Sequence, residues 1–426
     1  MSVRRADTVI VGGGVMGVAI AWHAAQHADP IEGPVVLLEK KALAAGSSGR
    51  SGAILRQHYS DRELAAMARD SLRVYAGMEA RTGRSIGFQR MGVLTLAGPA
   101  TPDAIALIER NVAMQRSIGI DTRIVQAGEI RALAPGIEVA DGAVGAYEPD
   151  GGGVDPVRTV ETIATLARQA GAVTRIGVRA TDLRVENARV VGVETDEGFV
   201  EAETVVVACG PWSQPLLARA GLDLPLRVVR PEQHFLALPR VAGSDRTDEP
   251  HESLEDSALE RFGLERARLS APAHPVILDL ERGFYTRCEG HADRTRVGRM
   301  DYHHDDVVPD PDALDEHVTE QYVRWARREI ERRFPRYREE PDAGSQAAMY
   351  TLSPDAQALI GRPRALDGLI VVTGFSGHGF KLAPSVGEGV AQMLRGDPVS
   401  AFDAAFFAPD RFEGRAEAAW SGAFGL

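Results

Sequence analysis

The segment 8-TVIVGGGVMGVAIAWHAAQ-26 constrains this chain more than any other. TVIV (8–11) is apolar and largely β-branched and reads as a strand, whereas VAIAWHAAQ (18–26) suits a helix. Between them Gly12, Gly14 and Gly17 fall in a G-x-G-x-x-G spacing, with Val15 and Met16 inside it. The first glycine of such a junction permits the tight turn. The second lets a pyrophosphate approach the backbone at the helix N-terminus, and the third lets helix and strand pack closely. PVVLLEK (34–40) then has the continuous hydrophobicity of a buried parallel strand. It closes on Glu39 and Lys40, placing an acid about 20 residues beyond the glycines, where a ribose hydroxyl needs an acceptor. Three glycines alone fit an inconsequential turn equally well. The strand, helix and acid around them favour a dinucleotide site.

The fingerprint does not separate NAD from FAD. The next stretch, 46-GSSGRSGAILR-56, is small, hydroxylated and glycine-rich. Ser47, Ser48, Arg50 and Ser51 there offer donors to phosphates along an extended dinucleotide, or belong to an ordinary loop. Two later strands also end in glycine turns: VVVACGPW (205–212), with Gly210 and Trp212, and GFSGHGF (374–380), with Gly377, His378, Gly379 and Phe380. A nicotinamide dehydrogenase of one unit does not need them; a long FAD molecule does.

At 426 residues, one large domain or two ordinary ones are expected. The net charge of −12 disfavours nucleic acid and anionic membranes as partners. Cys209 and Cys288 lack disulfide or metal spacing and read as two unpaired thiols, and no metal is expected. Arg4 and Arg5 before the apolar run 9–25 resemble a signal peptide, but four glycines interrupt the run. No other stretch suits a membrane span, so a cytoplasmic protein is expected.

Further strands are expected at 89–97, 142–147, 226–238, 275–280, 283–288, 294–300 and 368–374, with three more over 176–208. Helices are expected near 61–82, 102–118, 157–170, 315–334 and 384–395, and a loop at 151–156. Residues 240–272 read as a charged surface excursion. The pattern implies one doubly wound domain assembled from separated pieces around a second sheet domain.

Together VIVGGGVMG…LLEK, GSSGRSGAILRQHY, VVVACGPWS, MYTLSPDAQALIG and GFSGHGFKLAP resemble the D-amino-acid-oxidase superfamily of flavoproteins, in its sarcosine oxidase and glycine oxidase branch. The resemblance covers residues 7–400 apart from 240–272. It implies an α/β fold with a discontinuous Rossmann-type FAD-binding domain (1–83, 150–222 and 341–402). An α+β substrate domain with an antiparallel or mixed sheet (84–149 and 223–340) and a tail at 403–426 complete it. It also implies FAD and oxidation of an amine C–N bond.

Residue by residue, the resemblance implies that Arg56 and Lys381 clamp a substrate carboxylate. Lys381 is one of only three lysines, with Lys40 and Lys41, in a chain whose cations are otherwise arginine. A phosphate or surface contact is the alternative for Arg56, and a helix-start surface lysine for Lys381. His378 either acts in the site or only touches the flavin edge. Tyr285 lines the substrate side or is a core aromatic, and Val178 matches a residue whose backbone meets the adenine. Some sarcosine oxidases attach flavin to a cysteine at the position of Ala348, so non-covalent FAD is expected. Arg296 is the nearest match to the family's oxygen-activating lysine, which leaves O2 or an electron-transfer protein as acceptor. The implied substrate is a small N-methyl or other secondary amino acid. The rivals are a D-amino acid or 2-hydroxy acid dehydrogenase, a flavin-bearing subunit of a larger complex, or a non-catalytic flavoprotein. A homo-oligomer or hetero-subunit assembly is compatible with each.

Overall fold

The computed structural model describes residues 4–27, 33–239, 273–301, 306–413 and 420. The excursion 240–272, and 414–419 and 421–426 of the tail, lie outside the described residues.

The strand Arg5–Val11 lies at the centre of an eight-stranded sheet. It pairs in parallel with Val35–Glu39 on one side and Gly198–Val207 on the other. Val173–Ile176 continues one flank in parallel, and Leu369–Thr373 then antiparallel Leu359–Gly361 continue the other. Cores on both faces explain the unbroken apolar runs 9–11, 35–38, 205–207 and 369–372 of the central strands. Ile10, Leu37, Val206 and Ile370 enter one core with Val18, Val160 and Val386 from three helices. Val9, Val36, Val205 and Leu369 enter the other core with Leu183, Val193 and Leu216. Each fully buried aliphatic side chain here contributes about 1.5–3 kcal/mol. The apolar run that resembles a signal peptide is thus the central strand plus the buried helix Val15–Ala25. No helix among the described residues is long and apolar enough to cross a membrane.

The second eight-stranded sheet runs Asp342–Ala347, Glu232–Ala237, Arg294–Arg299, Phe284–Glu289, Val276–Asp279, Val93–Ala97, Val144–Glu148, Arg123–Gln126. Its pairs are antiparallel except Val276–Asp279 with Val93–Ala97. The expected combination of a doubly wound sheet and a mixed sheet is what the chain forms.

Several local readings change. The strand expected over 226–238 is two strands in different sheets, broken before Pro231, which has no N–H to donate. The strand expected over 89–97 is likewise split, with Gly92 between its halves at φ +74°. The helix expected over 61–82 is divided at Gly77. The loop expected at 151–156 contains a short strand, Gly152–Gly153, held antiparallel between Ile54–Leu55 and Gln89–Arg90. Its glycines follow from lack of space: a Cβ on Gly152 would lie 1.9 Å from the Gln89 carbonyl, and one on Gly153 would lie 2.3 Å from the Arg287 guanidinium carbon. Arg287 passes beneath and donates to the carbonyls of Gly52 and Val154. This small seam joins the two large sheets beside residue 56.

Gly152→Ala should therefore destabilise the protein by about 1–3 kcal/mol through overpacking. A lower urea midpoint at unchanged m-value is the measurement, and an unchanged midpoint contradicts the reading.

Candidate active site

One cavity of about 510 Å³ runs from the glycine turn to the mixed sheet. Its first section is built by the strand–helix junction. Gly12 has φ +117°, and a Cβ on Gly17 would stand 1.8 Å from the Gly12 carbonyl oxygen. Gly17 therefore packs beneath the turn and does not line the cavity, whereas Gly12, Gly14, Val15 and Met16 do. The helix begins at Val15 with Gly14 as a cap that supplies no side-chain bond, and its first turn has no acid. Ser48 Oγ accepts from Val15 N–H at 3.0 Å. Ser47 Oγ is buried with no hydrogen-bond partner among the described residues. An acid-free helix start, a glycine cap at the cavity wall and an orphaned hydroxyl fit a phosphate group. Glu39 accepts from the N–H groups of Gly13 and Lys41, each at 2.8 Å, which fixes its carboxylate at the cavity wall.

Val178, Gly210 and Trp212 line the same section. There Lys40 stands 3.9 Å over the Trp212 ring and pairs with Asp312. Asp312 also accepts from Trp212 Nε1 at 3.0 Å and from Arg179 at 2.9 Å. Burial opposes its charge, but Lys40 and Arg179 outweigh burial and hold its carboxyl well below the usual range. Arg50 pairs with Glu316 and donates to the Ala347 carbonyl at 2.9 Å. Residues 310–316 thus lie across the cavity as a strap that sequence reading had not linked to it.

The far section is cationic. Arg56 and Lys381 both line the cavity and both are buried, Lys381 at 7% exposure. Arg56 donates to the His58 carbonyl and lies 4.1 Å over the Tyr59 ring. Lys381 Nζ donates to the His378 carbonyl at 3.2 Å and stands 5.9 Å from the same ring. Burial, then the Arg56 charge, pushes the Lys381 ammonium well below its ordinary pKa, while Glu148 pulls it back. Gly377, Gly379 and Phe380 line the cavity beside it, and Gly377 takes φ +80°. His378 does not line it. Its Nε2 donates to the Ala356 carbonyl at 2.8 Å, leaving Nδ1 to accept from Tyr59 O–H at 3.5 Å. Burial and the Lys381 charge hold it at about 3, so it is a neutral support.

Tyr285 lines the cavity from the mixed sheet, with Gln233 Nε2 3.4 Å from its hydroxyl. Ser47, Ser48, Arg50 and Ser51 complete the wall. Arg296 does not line the cavity. It is buried on Glu289 at 2.5 Å, on Gln233 and on the Arg50 carbonyl at 3.1 Å. Burial pushes the Glu289 carboxyl up, but Arg296, Arg287 and Arg294 together hold it at about 2. Ala348 lines the cavity. Cys209 also lines it, with its thiol pushed up to about 11 by burial. Among the described residues no cluster suits a metal ion. Glu148, Tyr59 and Asp312 were not singled out from sequence. Only Tyr59, inside RQHY, carries a local signal.

Known proteins resemble the chain over most of its length. The chain is 27% identical over 424 residues to the 4-methylaminobutanoate oxidase (formaldehyde-forming) of Paenarthrobacter nicotinovorans, covering 96% of this chain and 46% of that protein. It is 26% identical over 418 residues to the peroxisomal sarcosine oxidase of Homo sapiens, covering 95% and 96%. The chain therefore spans about half of the first relative and nearly all of the second. The crystal structure of L-proline dehydrogenase from P. horikoshii superposes with TM-score 0.80 at 22% identity, over 97% of this chain and 99% of that one, which shows a common fold. The DAO model, described as FAD dependent oxidoreductase, matches residues 7–393, and the chain belongs to that family.

Proposed function

We propose that this protein oxidises the C–N bond of a small amino acid, N-methylated or otherwise secondary, to an imine that water hydrolyses. The observation that carries this reading is the convergence of two buried cations, Arg56 and Lys381, on the cavity that holds the dinucleotide fingerprint. The relatives named for sarcosine and 4-methylaminobutanoate support the substrate class. Gly12, Gly14, Ser47, Ser48 and Glu39 would hold the phosphates and ribose of FAD, and Val178 and Trp212 would flank its adenine end. FAD supplies the acceptor for the hydride that leaves the substrate. Ala348 in place of an attaching cysteine supports non-covalent binding.

The chain's own residues bind and orient. Arg56 and Lys381 take the carboxylate through charge-assisted hydrogen bonds. Their positive charge disfavours an ammonium beside them, so the bound amine sheds its proton more readily and presents its lone pair. Tyr285 closes the side facing the mixed sheet. The strap 310–316 covers the dinucleotide end and slows its exchange. We assign the acceptor to O2 or an electron-transfer partner, in a cytoplasmic setting. We further assign residues 1–83, 150–222 and 341–402 to the cofactor part and 84–149 and 223–340 to the substrate part. Membership of the two large sheets supports this division except at Asp342–Ala347, which pairs into the mixed sheet, while Arg227–Val229 with Tyr350–Leu352 and Gln89–Arg90 with Gly152–Gly153 pair across it.

Anaerobic titration of the yellow protein with N-methylglycine and proline should bleach the flavin band. No bleaching by any amine, with flavin bound, overturns the reading, and bleaching by hydroxy acids alone replaces it. Arg56→Ala and Lys381→Ala should each raise KM for carboxylate substrates about tenfold or more, since each loses a bond of about 1.5–3 kcal/mol. Unchanged KM in both sinks the clamp. Raising pH removes the Lys381 proton, and burial and Arg56 bring that loss well below the ordinary lysine range, so affinity for acetate should fall with rising pH in the parent and stay flatter in Lys381→Met. Asp312→Asn with Glu316→Gln should lose FAD faster on dilution. Equal loss rates argue against the strap.

A further inference from the structure

The strand Val144–Glu148 ends in a carboxylate that the proposed chemistry does not use. Glu148 is fully buried. Its Oε2 accepts from Gln57 N–H at 2.6 Å, and its Oε1 accepts from His58 N–H at 3.1 Å. Gln57 Nε2 lies a further 3.5 Å from Oε2. The two backbone donors follow Arg56 directly. On the other side of Arg56, Ile54–Leu55 pair with Gly152–Gly153, only a few residues beyond Glu148. The stretch 148–153 therefore braces the Arg56 backbone from both sides. Tyr59, whose ring lies under the Arg56 guanidinium, is the next residue of the same turn. Its carbonyl is taken by Gln115 at 3.0 Å.

A neutral acceptor would satisfy two N–H groups at smaller desolvation cost than a buried carboxylate. What an anion adds here is attraction on the cations beside it. Both Arg56 and Lys381 feel the Glu148 charge. We propose that Glu148 is a positioning residue of the carboxylate clamp, fixing the turn that aims Arg56 and holding the proton on Lys381. This rests on the clamp reading given above.

The charge must be present for the second part of the role. Burial pushes the Glu148 carboxyl up to about 7, against the pull of the Gln57 and His58 N–H groups and of Arg56. Of the groups that face it, Arg56 is the cation and His58 is held neutral at about 3 by burial and Arg56. Tyr59 is pushed up to about 12 by burial. Lys381 keeps its proton to higher pH where Glu148 is charged, so the pH dependence of the ratio between the two proteins reads the Glu148 charge.

The test is acetate binding to the holoenzyme, followed as a perturbation of the flavin spectrum, in the parent and in Glu148→Gln. Glutamine keeps the shape and one acceptor oxygen but resembles the protonated acid. Affinities should nearly match at about pH 6 and differ about tenfold, parent tighter, at about pH 8. A merely structural role gives a ratio that does not change with pH, and that result overturns the proposal, as does equal binding at the higher pH. If Glu148→Gln purifies without FAD, Glu148→Asp decides. It keeps the charge but withdraws the oxygens by one methylene, so weaker acetate binding supports the role and equal binding rejects it. If the parent holds FAD but binds no acetate, the clamp reading itself falls and this inference falls with it. Acetate binding to the parent with no effect of either variant sinks the Glu148 role alone.

Discussion

The helix Val15–Ala25 crosses the strand before it at a distance no side chain tolerates, and the rest of the site depends on that crossing. A Cβ on Gly17 would stand 1.8 Å from the Gly12 carbonyl oxygen, so the contact exists only because residue 17 is glycine. Close approach aims the acid-free helix start at the cavity and brings Val15 N–H to Ser48. The same turn presents Gly13 N–H to Glu39 across 26 residues of chain. One steric requirement thus orders three separate stretches around one concave wall.

What was legible in the sequence was what is local. The glycine turn, Glu39 and the final glycine loop with Lys381 act through neighbours a few residues away or through a strand end, and a residue pattern records that. The alternating strands were legible for the same reason, because each sends successive side chains to opposite cores. The illegible parts depend on distant partners. Glu148 meets a backbone N–H 91 residues earlier in the chain, and a backbone donor leaves no residue type to notice. Asp312 meets Lys40 across 272 residues, from a stretch that carries no motif. The split of 226–238 into two sheets was hidden because hydrophobic alternation is the same in either sheet, and only Pro231 marks the break.

Two of the molecule's cation clusters, both near the cavity, are treated differently. Arg287, Arg294 and Arg296 surround Glu289, and Arg287 and Arg296 spend further donors on the carbonyls of Gly52, Val154 and Arg50. These groups are committed to holding the loop 50–53 onto the mixed sheet. Their neutral counterparts of similar volume would cost the fold little, provided the carbonyls kept their partners.

Lys381 is arranged otherwise. Its ammonium has three protons and, among the described residues, one hydrogen-bond acceptor, the His378 carbonyl. Burial and the Arg56 charge both work against its charged form. A stable fold gains nothing from such a group, and an apolar residue of that length would fill the same space at lower cost. A buried cation with spare donors facing a cavity makes physical sense when an anion arrives to complete it. Its pKa is depressed with no anion beside it, and on the proposed reading carboxylate binding would draw it back up. Proton uptake by the protein on binding a carboxylate follows directly from that difference. On the proposed reading, the electrostatic strain that burial imposes on Lys381 is what would make the site selective for a negative charge.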